Sequence, residues 1–307
     1  MTLSGFRFMQ SGAAWFLMIG LALQLAASAH ARTLAESISK ITAGQPGYFS
    51  VYAARSGQSP SACLNCDEPI NAASTIKLFV LDAAYVAFHE GALKPDETII
   101  VHNRFHSLVG TGNFALEQKE DSYDPLYAQA GKPVSVAELL RVMIQYSSNL
   151  ATNLMIERLG VMPIRAVVSQ QGLDGITFGR MIEDFDADRQ GIRNRVSARG
   201  LGNFLQKLDH GEIVGAPESH AMIDIMLGQK FNDIIPPGLP THTPVAHKTG
   251  WVNGVRNDAA IVFLPSGRHF ILVELSRDLP NESEGIKVMN RISEVVFAAF
   301  HHPPSGE

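Results

Sequence analysis

The placement of its strand-forming runs restricts this chain most. Tyr48-Phe49-Ser50-Val51-Tyr52-Ala53 reads as a strand near one end. The next clear strand runs come only near the other end. These are Pro244–Thr249, Asp258–Leu264 and Arg268–Ser276, the last two flanking the turn sequence Pro265-Ser266-Gly267. A lone strand cannot satisfy its own backbone N–H and C=O groups. The N-terminal strand is therefore expected to join the C-terminal hairpin in one antiparallel sheet. Leu34–Ile41 and a last helix from about Glu282 to Phe300 would cover that sheet.

Helical patterns fill the middle. Ser74–Glu90 is nearly all apolar and reads as a buried helix. Ser135 with Glu138 three residues later is a capping-box signal, opening a helix through Leu139, Leu140, Met143 and Ile144. Leu150–Leu159, Pro163–Gln171 and Met222–Leu227 read as further helices. Ser197 caps another, with Leu201, Phe204, Leu205 and Leu208 on one face. Residues 102–131, with Gly110, Gly112 and acidic clusters, read as a long loop or lid. The expected fold class is α+β: an antiparallel sheet flanked by terminal helices, an all-helical lobe, and an active site in the cleft between them.

The first stretch reads as a segment removed before folding. Arg7 is the only charge before the apolar run Ala13–Ala27, which ends in Ala27-Ser28-Ala29-His30-Ala31. The run is shorter than the roughly 20 residues of a membrane-spanning helix. A cut after Ala31, or alternatively Ala29, is expected, and it leaves no stable membrane anchor. Residues 1–31 are thus a signal peptide and 32–307 a single two-lobed catalytic domain, periplasmic or secreted. A net charge of −5 and the lack of a Lys/Arg stripe argue against a nucleic-acid partner. No coiled-coil pattern or large apolar repeat appears, so a monomer is expected. Cys63 and Cys66 read as a short local disulfide in an oxidising compartment. The 11 histidines are scattered, with no His-x-His and no His-Glu-x-x-His. His102 and His106 are four apart but lie in a loop-like stretch. No metal or other cofactor is expected.

Three short motifs carry chemistry. Ser74-Thr75-Ile76-Lys77 places a lysine one helical turn after a serine, so both share a face. A serine hydroxyl is a poor nucleophile until a base takes its proton. Apolar neighbours Ile76 and Leu78-Phe79-Val80 should lower the pKa of Lys77 toward that of a useful base. Ser37-Ile38-Ser39-Lys40 matches the same pattern and is assigned no role. Ser147-Ser148-Asn149 offers a hydroxyl and an amide from one short loop; its plainer reading is a helix N-cap. His247-Lys248-Thr249-Gly250 ends an apolar strand. Gly250 lets another backbone or a ligand approach closely, and the Trp251 N–H that follows is placed to meet a ligand oxygen.

In this order the motifs resemble the penicillin-recognising serine enzymes, most of all class A β-lactamases and related serine hydrolases. The resemblance implies an acyl-enzyme on Ser74, with Lys77 taking or relaying its proton and Ser147 passing a proton to the leaving nitrogen. It implies that Asn149 holds the side-chain amide of a small-molecule acyl donor. Lys248 and Thr249, in a motif closed by Gly250, would bind its carboxylate, with Arg256 as a further contact. The N–H groups of Ser74 and Trp251 would form the oxyanion hole. Glu183 falls at the family spacing for the base that activates the deacylating water. Its loop departs from the family pattern: Arg180 lies three residues before Glu183 rather than two, Ala187 stands where the family has Asn, and Asn194 where it has Asp. The alternative for Glu183 is one exposed acid among Asp184, Asp186 and Asp188. The segment between Lys77 and Ser147 is longer than the family norm, which points to a reshaped cleft. A D-alanyl-D-alanine carboxypeptidase or esterase of the same fold uses the same acylating groups. So does a slow-deacylating penicillin- or cell-wall-binding module.

Overall fold

The computed structural model describes residues 34–301. The signal peptide expected over residues 1–31 lies outside the described residues. The chain begins with helix α1 (34–42), strands β1 (Tyr48–Arg55), β2 (Ala62–Leu64) and β3 (Ile70–Asn71), and helix α2 (Lys77–His89). Short strands β4 (Thr98–Ile100), β5 (Phe105–His106), β6 (Asn113–Phe114) and β7 (Pro133–Ser135) follow. Helices α3 (Val136–Gln145), α4 (Asn149–Leu159), α5 (Val161–Gln170) and α6 (Phe185–Arg189) lead to β8 (Arg195–Val196). Helices α7 (Ala198–Asp209) and α8 (Ala216–Leu227), strands β9 (Val245–Val252), β10 (Val255–Phe263) and β11 (His269–Arg277), and helix α9 (Glu282–His301) complete it.

The main sheet has the order β2-β1-β11-β10-β9 and is antiparallel throughout. Strand β1 pairs with β11 from Tyr48↔Arg277 to Arg55↔Phe270, the closure expected from the strand order. The sheet is buried on both faces, so its strands run apolar rather than alternating. Val51, Ala53, Ala260, Val262, Phe270 and Leu272 face α1 and α9. Tyr52, Ala54, Ala246, Ala259, Ile261, Ile271 and Val273 face the helical lobe. Helix α2 runs through that lobe with Leu78, Phe79, Val80 and Leu81 buried, and Phe79 meets Phe204 of α7 edge to face at 5.2 Å. Ser135 caps α3 and Ser197 caps α7, each accepting from the backbone N–H three residues on.

Three local features differ from the sequence reading. Ser74 does not open the α-helix: it lies in a 3₁₀ turn, Ala73–Ile76, and Lys77 is the first residue of α2. The Thr75 hydroxyl donates to Ala72 O at 2.7 Å and Asn71 Oδ1 accepts from the Ala73 N–H at 2.9 Å, which tightens this turn. Helix α8 starts at Ala216, earlier than its apolar run suggests, because Pro217 suits a first turn whose N–H groups need no helical partner. Strands β9 and β10 extend toward each other to a tight turn at Asn253-Gly254, where Gly254 has φ +72°. Cys63 of β2 and Cys66 just after it are joined as a disulfide, with Cα atoms 5.3 Å apart.

Candidate active site

The three motifs converge on one buried hydroxyl. Ser147 lies between α3 and α4 with φ +59°, a conformation that costs a non-glycine residue about 1 kcal/mol. Ser148 caps α4 by accepting from the Ala151 N–H at 3.2 Å, so the turn before it is held. Lys77 Nζ donates to Ser147 O at 2.5 Å, to Asn149 Oδ1 at 2.8 Å and to Ser147 Oγ at 3.3 Å. Lys248 Nζ reaches the same Ser147 Oγ at 3.0 Å and Thr249 O at 2.8 Å. Both lysines are fully buried. Burial pushes Lys77 down to about 7, against the opposing pull of Asp121 and Glu183. Burial and the neighbouring Lys77 charge hold Lys248 well below the ordinary lysine range, with Asp258 opposing. Two ammonium groups on one buried hydroxyl repel each other, so proton loss from one relieves the pair.

Glu183 sits beside this group, not in open solvent. Its Oε1 accepts from Asn149 Nδ2 at 3.2 Å and its Oε2 from the Glu117 N–H at 3.1 Å. Burial raises its pKa above the ordinary carboxylate value. Glu183 has φ +61°, and the loop around it is pinned on both sides. Asn153 exchanges two hydrogen bonds with Ile182, each 2.9 Å. Asn194 Oδ1 accepts from the N–H groups of Gly179 and Arg180, and its Nδ2 donates to Arg180 O. Asn194 thus holds the loop through its backbone, while the Arg180 guanidinium pairs with Asp188 at 3.3 Å. Asp184 caps α6 and also accepts from Ser107 Oγ at 2.7 Å and the Leu108 N–H at 2.8 Å. These bonds lace the 102–131 segment onto the loop.

Gly250 is where β9 passes the Ser74 turn. A Cβ there would meet Ser74 N at 2.7 Å, Thr75 N at 3.0 Å and Ala72 O at 3.1 Å, all backbone atoms, so only glycine fits. Thr249 Oγ1 is buried and has no hydrogen-bond partner among the described residues. Trp251 packs edge to face on Phe231 at 4.8 Å. Arg256 is tied to Glu282 by an ion pair and donates to Val255 O at 3.1 Å. A cavity of about 1110 Å³ opens over the group, and Ser74, Asn149, Glu183, Trp251 and Arg256 line it. Lys77, Ser147 and Lys248 are buried and do not line it; Lys77 is joined to it through Asn149. Sequence reasoning did not single out Glu117, Asp121 or Glu282, which act on these residues from distant segments and carry no local signal.

Residues 33–300 match the sequence profile of a family described as the beta-lactamase enzyme family. The chain belongs to the beta-lactamase enzyme family. Among curated members, it is 29% identical over 289 residues to the carbapenem-hydrolyzing beta-lactamase KPC of Klebsiella oxytoca, covering 89% of this chain and 88% of that protein. It is 24% identical over 205 residues to a beta-lactamase of Bacteroides uniformis, covering 61% of this chain and 68% of that one. Among solved structures, PBP-A superposes with a TM-score of 0.73 at 26% identity, over 87% of this chain and 96% of that chain. A PBP-A mutant solved as an acyl-enzyme complex with penicillin G superposes with a TM-score of 0.72 at 26% identity, over 88% of this chain and 96% of that chain. Both solved structures share this chain's α+β fold along nearly its whole described length.

Proposed function

We propose that this chain is a class A-like serine β-lactamase, opening β-lactam amide bonds through an acyl-enzyme on Ser74. The observation that carries this reading is the shared contact of Lys77 and Lys248 with Ser147 Oγ, joined through Asn149 to a cleft lined by Ser74, Asn149 and Glu183. Neutral Lys77 takes the proton from Ser74 Oγ, which attacks the lactam carbonyl. The N–H groups of Ser74 and Trp251 hold the resulting oxyanion, each contributing about 3–4 kcal/mol. Ser147 donates its proton to the leaving nitrogen and is reprotonated by Lys77. The substrate carboxylate meets the unpartnered Thr249 hydroxyl in the field of Lys248, with Arg256 reaching it on release from Glu282. Glu183, held on Asn149 and raised by burial, takes a proton from a water that attacks the ester and frees Ser74. The protein acts after removal of residues 1–31, as a monomeric single domain outside the cytoplasm. Among the described residues, no helix is long and apolar enough to cross a membrane.

The test is intact mass of the mature protein over time with a penicillin, beside turnover of a chromogenic cephalosporin. The expected result is a transient adduct with turnover, absent in Ser74→Ala and trapped in Glu183→Gln. A long-lived wild-type adduct replaces hydrolysis by the carboxypeptidase or slow-deacylating reading. An adduct surviving in Ser74→Ala overturns the nucleophile.

A further inference from the structure

Asp121 lies in the 102–131 segment, outside all three motifs, yet its carboxylate is built into the site. Oδ2 accepts from the Leu150 N–H at 2.8 Å, from Tyr127 Oη at 3.2 Å and from Ser148 Oγ at 3.4 Å. Oδ1 accepts from the Tyr123 N–H at 3.2 Å, which fixes the carboxylate on its own loop. The Leu150 N–H is one of the first-turn donors of α4 that no helical carbonyl can reach. Ser148 satisfies the Ala151 N–H, and Asp121 satisfies the neighbouring one from another part of the chain. The two side chains thus hold the turn that carries Ser147 and Asn149, both partners of Lys77.

The same carboxylate is a fixed negative charge beside the proton-handling groups. Around Lys77, Asp121 and Glu183 favour its charged form, while buried Lys248 shares its Ser147 contact. Burial is the main cause that raises both Glu183 and Tyr127, and the Asp121 charge adds to each.

Resting on the acyl-enzyme reading above, we propose that Asp121 is a positioning residue for acylation: it seats the Ser147–Asn149 turn against Lys77 and, through its charge, sets the pH at which Lys77 becomes a base. A helix cap alone explains the first half and not the second. The groups are within reach of one another through Ser148 and Leu150, so loss of the charge and loss of the seat are separable by substitution.

The experiment measures acylation by a penicillin, by rapid-quench intact mass from pH 5 to 9, for the mature wild type, Asp121→Asn and Asp121→Glu. Asp121→Asn removes a charge that favours ammonium, so the acid limb moves about one pH unit lower. The variant-to-wild-type rate ratio then rises about tenfold between pH 8 and pH 5.5, on a plateau lowered about tenfold by the loosened turn. Asp121→Glu keeps the charge and misplaces the carboxylate, so its plateau falls while its limb stays at the wild-type pH. A loss in Asp121→Asn by one constant factor at every pH reduces Asp121 to a cap and overturns the proposal. A wild-type plateau in Asp121→Glu overturns it as well, and Asp121→Ser, which also removes the charge, carries the pH-profile test if Asp121→Asn does not fold. A wild type that is never acylated overturns the acyl-enzyme reading and this proposal together; an acylated wild type with unchanged variants overturns this proposal alone.

Discussion

The pH dependence of acylation follows from the burial of Lys77. An exposed lysine has a pKa near 10.5, and burial brings Lys77 to about 7. At about 1.4 kcal/mol per pH unit, that difference is worth roughly 5 kcal/mol against the ammonium form. At pH 7.4 an ordinary lysine is neutral in about one molecule in a thousand, whereas most Lys77 side chains are neutral. Burial therefore multiplies the available base by about three orders of magnitude. The neutral amine keeps two N–H donors for Ser147 O and Asn149 Oδ1 and leaves a lone pair for the Ser147 hydroxyl. The expected acylation rate rises tenfold per pH unit up to about pH 7 and is flat above, so at pH 5 it lies about a hundredfold below the plateau. The assay is rapid-quench intact mass with penicillin in the wild type, repeated in Glu183→Gln, where loss of a charge that favours the ammonium moves the limb lower. Lys77→Arg places a guanidinium that does not lose its proton in the same pocket, and acylation is expected to fall by about 10²–10⁴-fold at every pH. A rate independent of pH from 5 to 9, or a break near the ordinary lysine value, refutes the reasoning about Lys77. Loss of the limb in Glu183→Gln shifts the base to Glu183.

Two further predictions concern backbone approach and buried charge. Gly250→Ala puts a methyl 2.7 Å from Ser74 N, so the 3₁₀ turn or β9 must move, and acylation is expected to drop about 10²-fold; an unchanged adduct rate in this variant contradicts the close approach. Asp82 is buried in α2, with Oδ2 accepting from Gln171 Nε2 at 2.5 Å and Oδ1 without a hydrogen-bond partner among the described residues, and burial raises it from 3.8 to about 7. Its folded pKa exceeds its unfolded one, so the stability it contributes is full below about pH 4 and is lost as pH rises through about 7. Asp82→Asn removes that loss and is expected to stabilise the fold by up to roughly 4 kcal/mol at pH 8 relative to its effect at pH 4. Denaturant melts at both pH values check this; equal shifts at the two would show that Asp82 is not a buried acid.

Much of the architecture was legible from local rules. Ser135 and Ser197 announced their helices because capping acts within a single turn, and the apolar runs of α2 and β9–β11 announced burial. The sheet closure followed from backbone hydrogen bonding, since the other clear strand runs lie near the opposite end of the chain, although β2 also pairs with β1. Asn253-Gly254 is a readable hairpin signal, and its turn carries β9 and β10 past the Thr249 and Asp258 ends expected from the apolar runs. The 3₁₀ turn at Ser74 was not legible, because side-chain hydrogen bonds from Asn71 and Thr75 compete with helical ones at similar strength.

Residue types and short spacings by themselves determined which groups this protein offers for chemistry: the Ser74–Lys77 turn, the Ser147–Asn149 loop and the Lys248–Gly250 strand end. They also determined that the sheet must join both ends of the chain. Only the tertiary structure decided how those groups act on one another. Two lysines far apart in sequence meet on Ser147 Oγ, Glu183 turns inward onto Asn149 through a left-handed backbone conformation, Arg256 is held by Glu282, and Asp121 reaches the start of α4. The physical reason is range. Capping and helix periodicity are settled within about four residues, whereas burial and charge coupling depend on what distant segments bring within a few ångströms, and these set the pKa of Lys77.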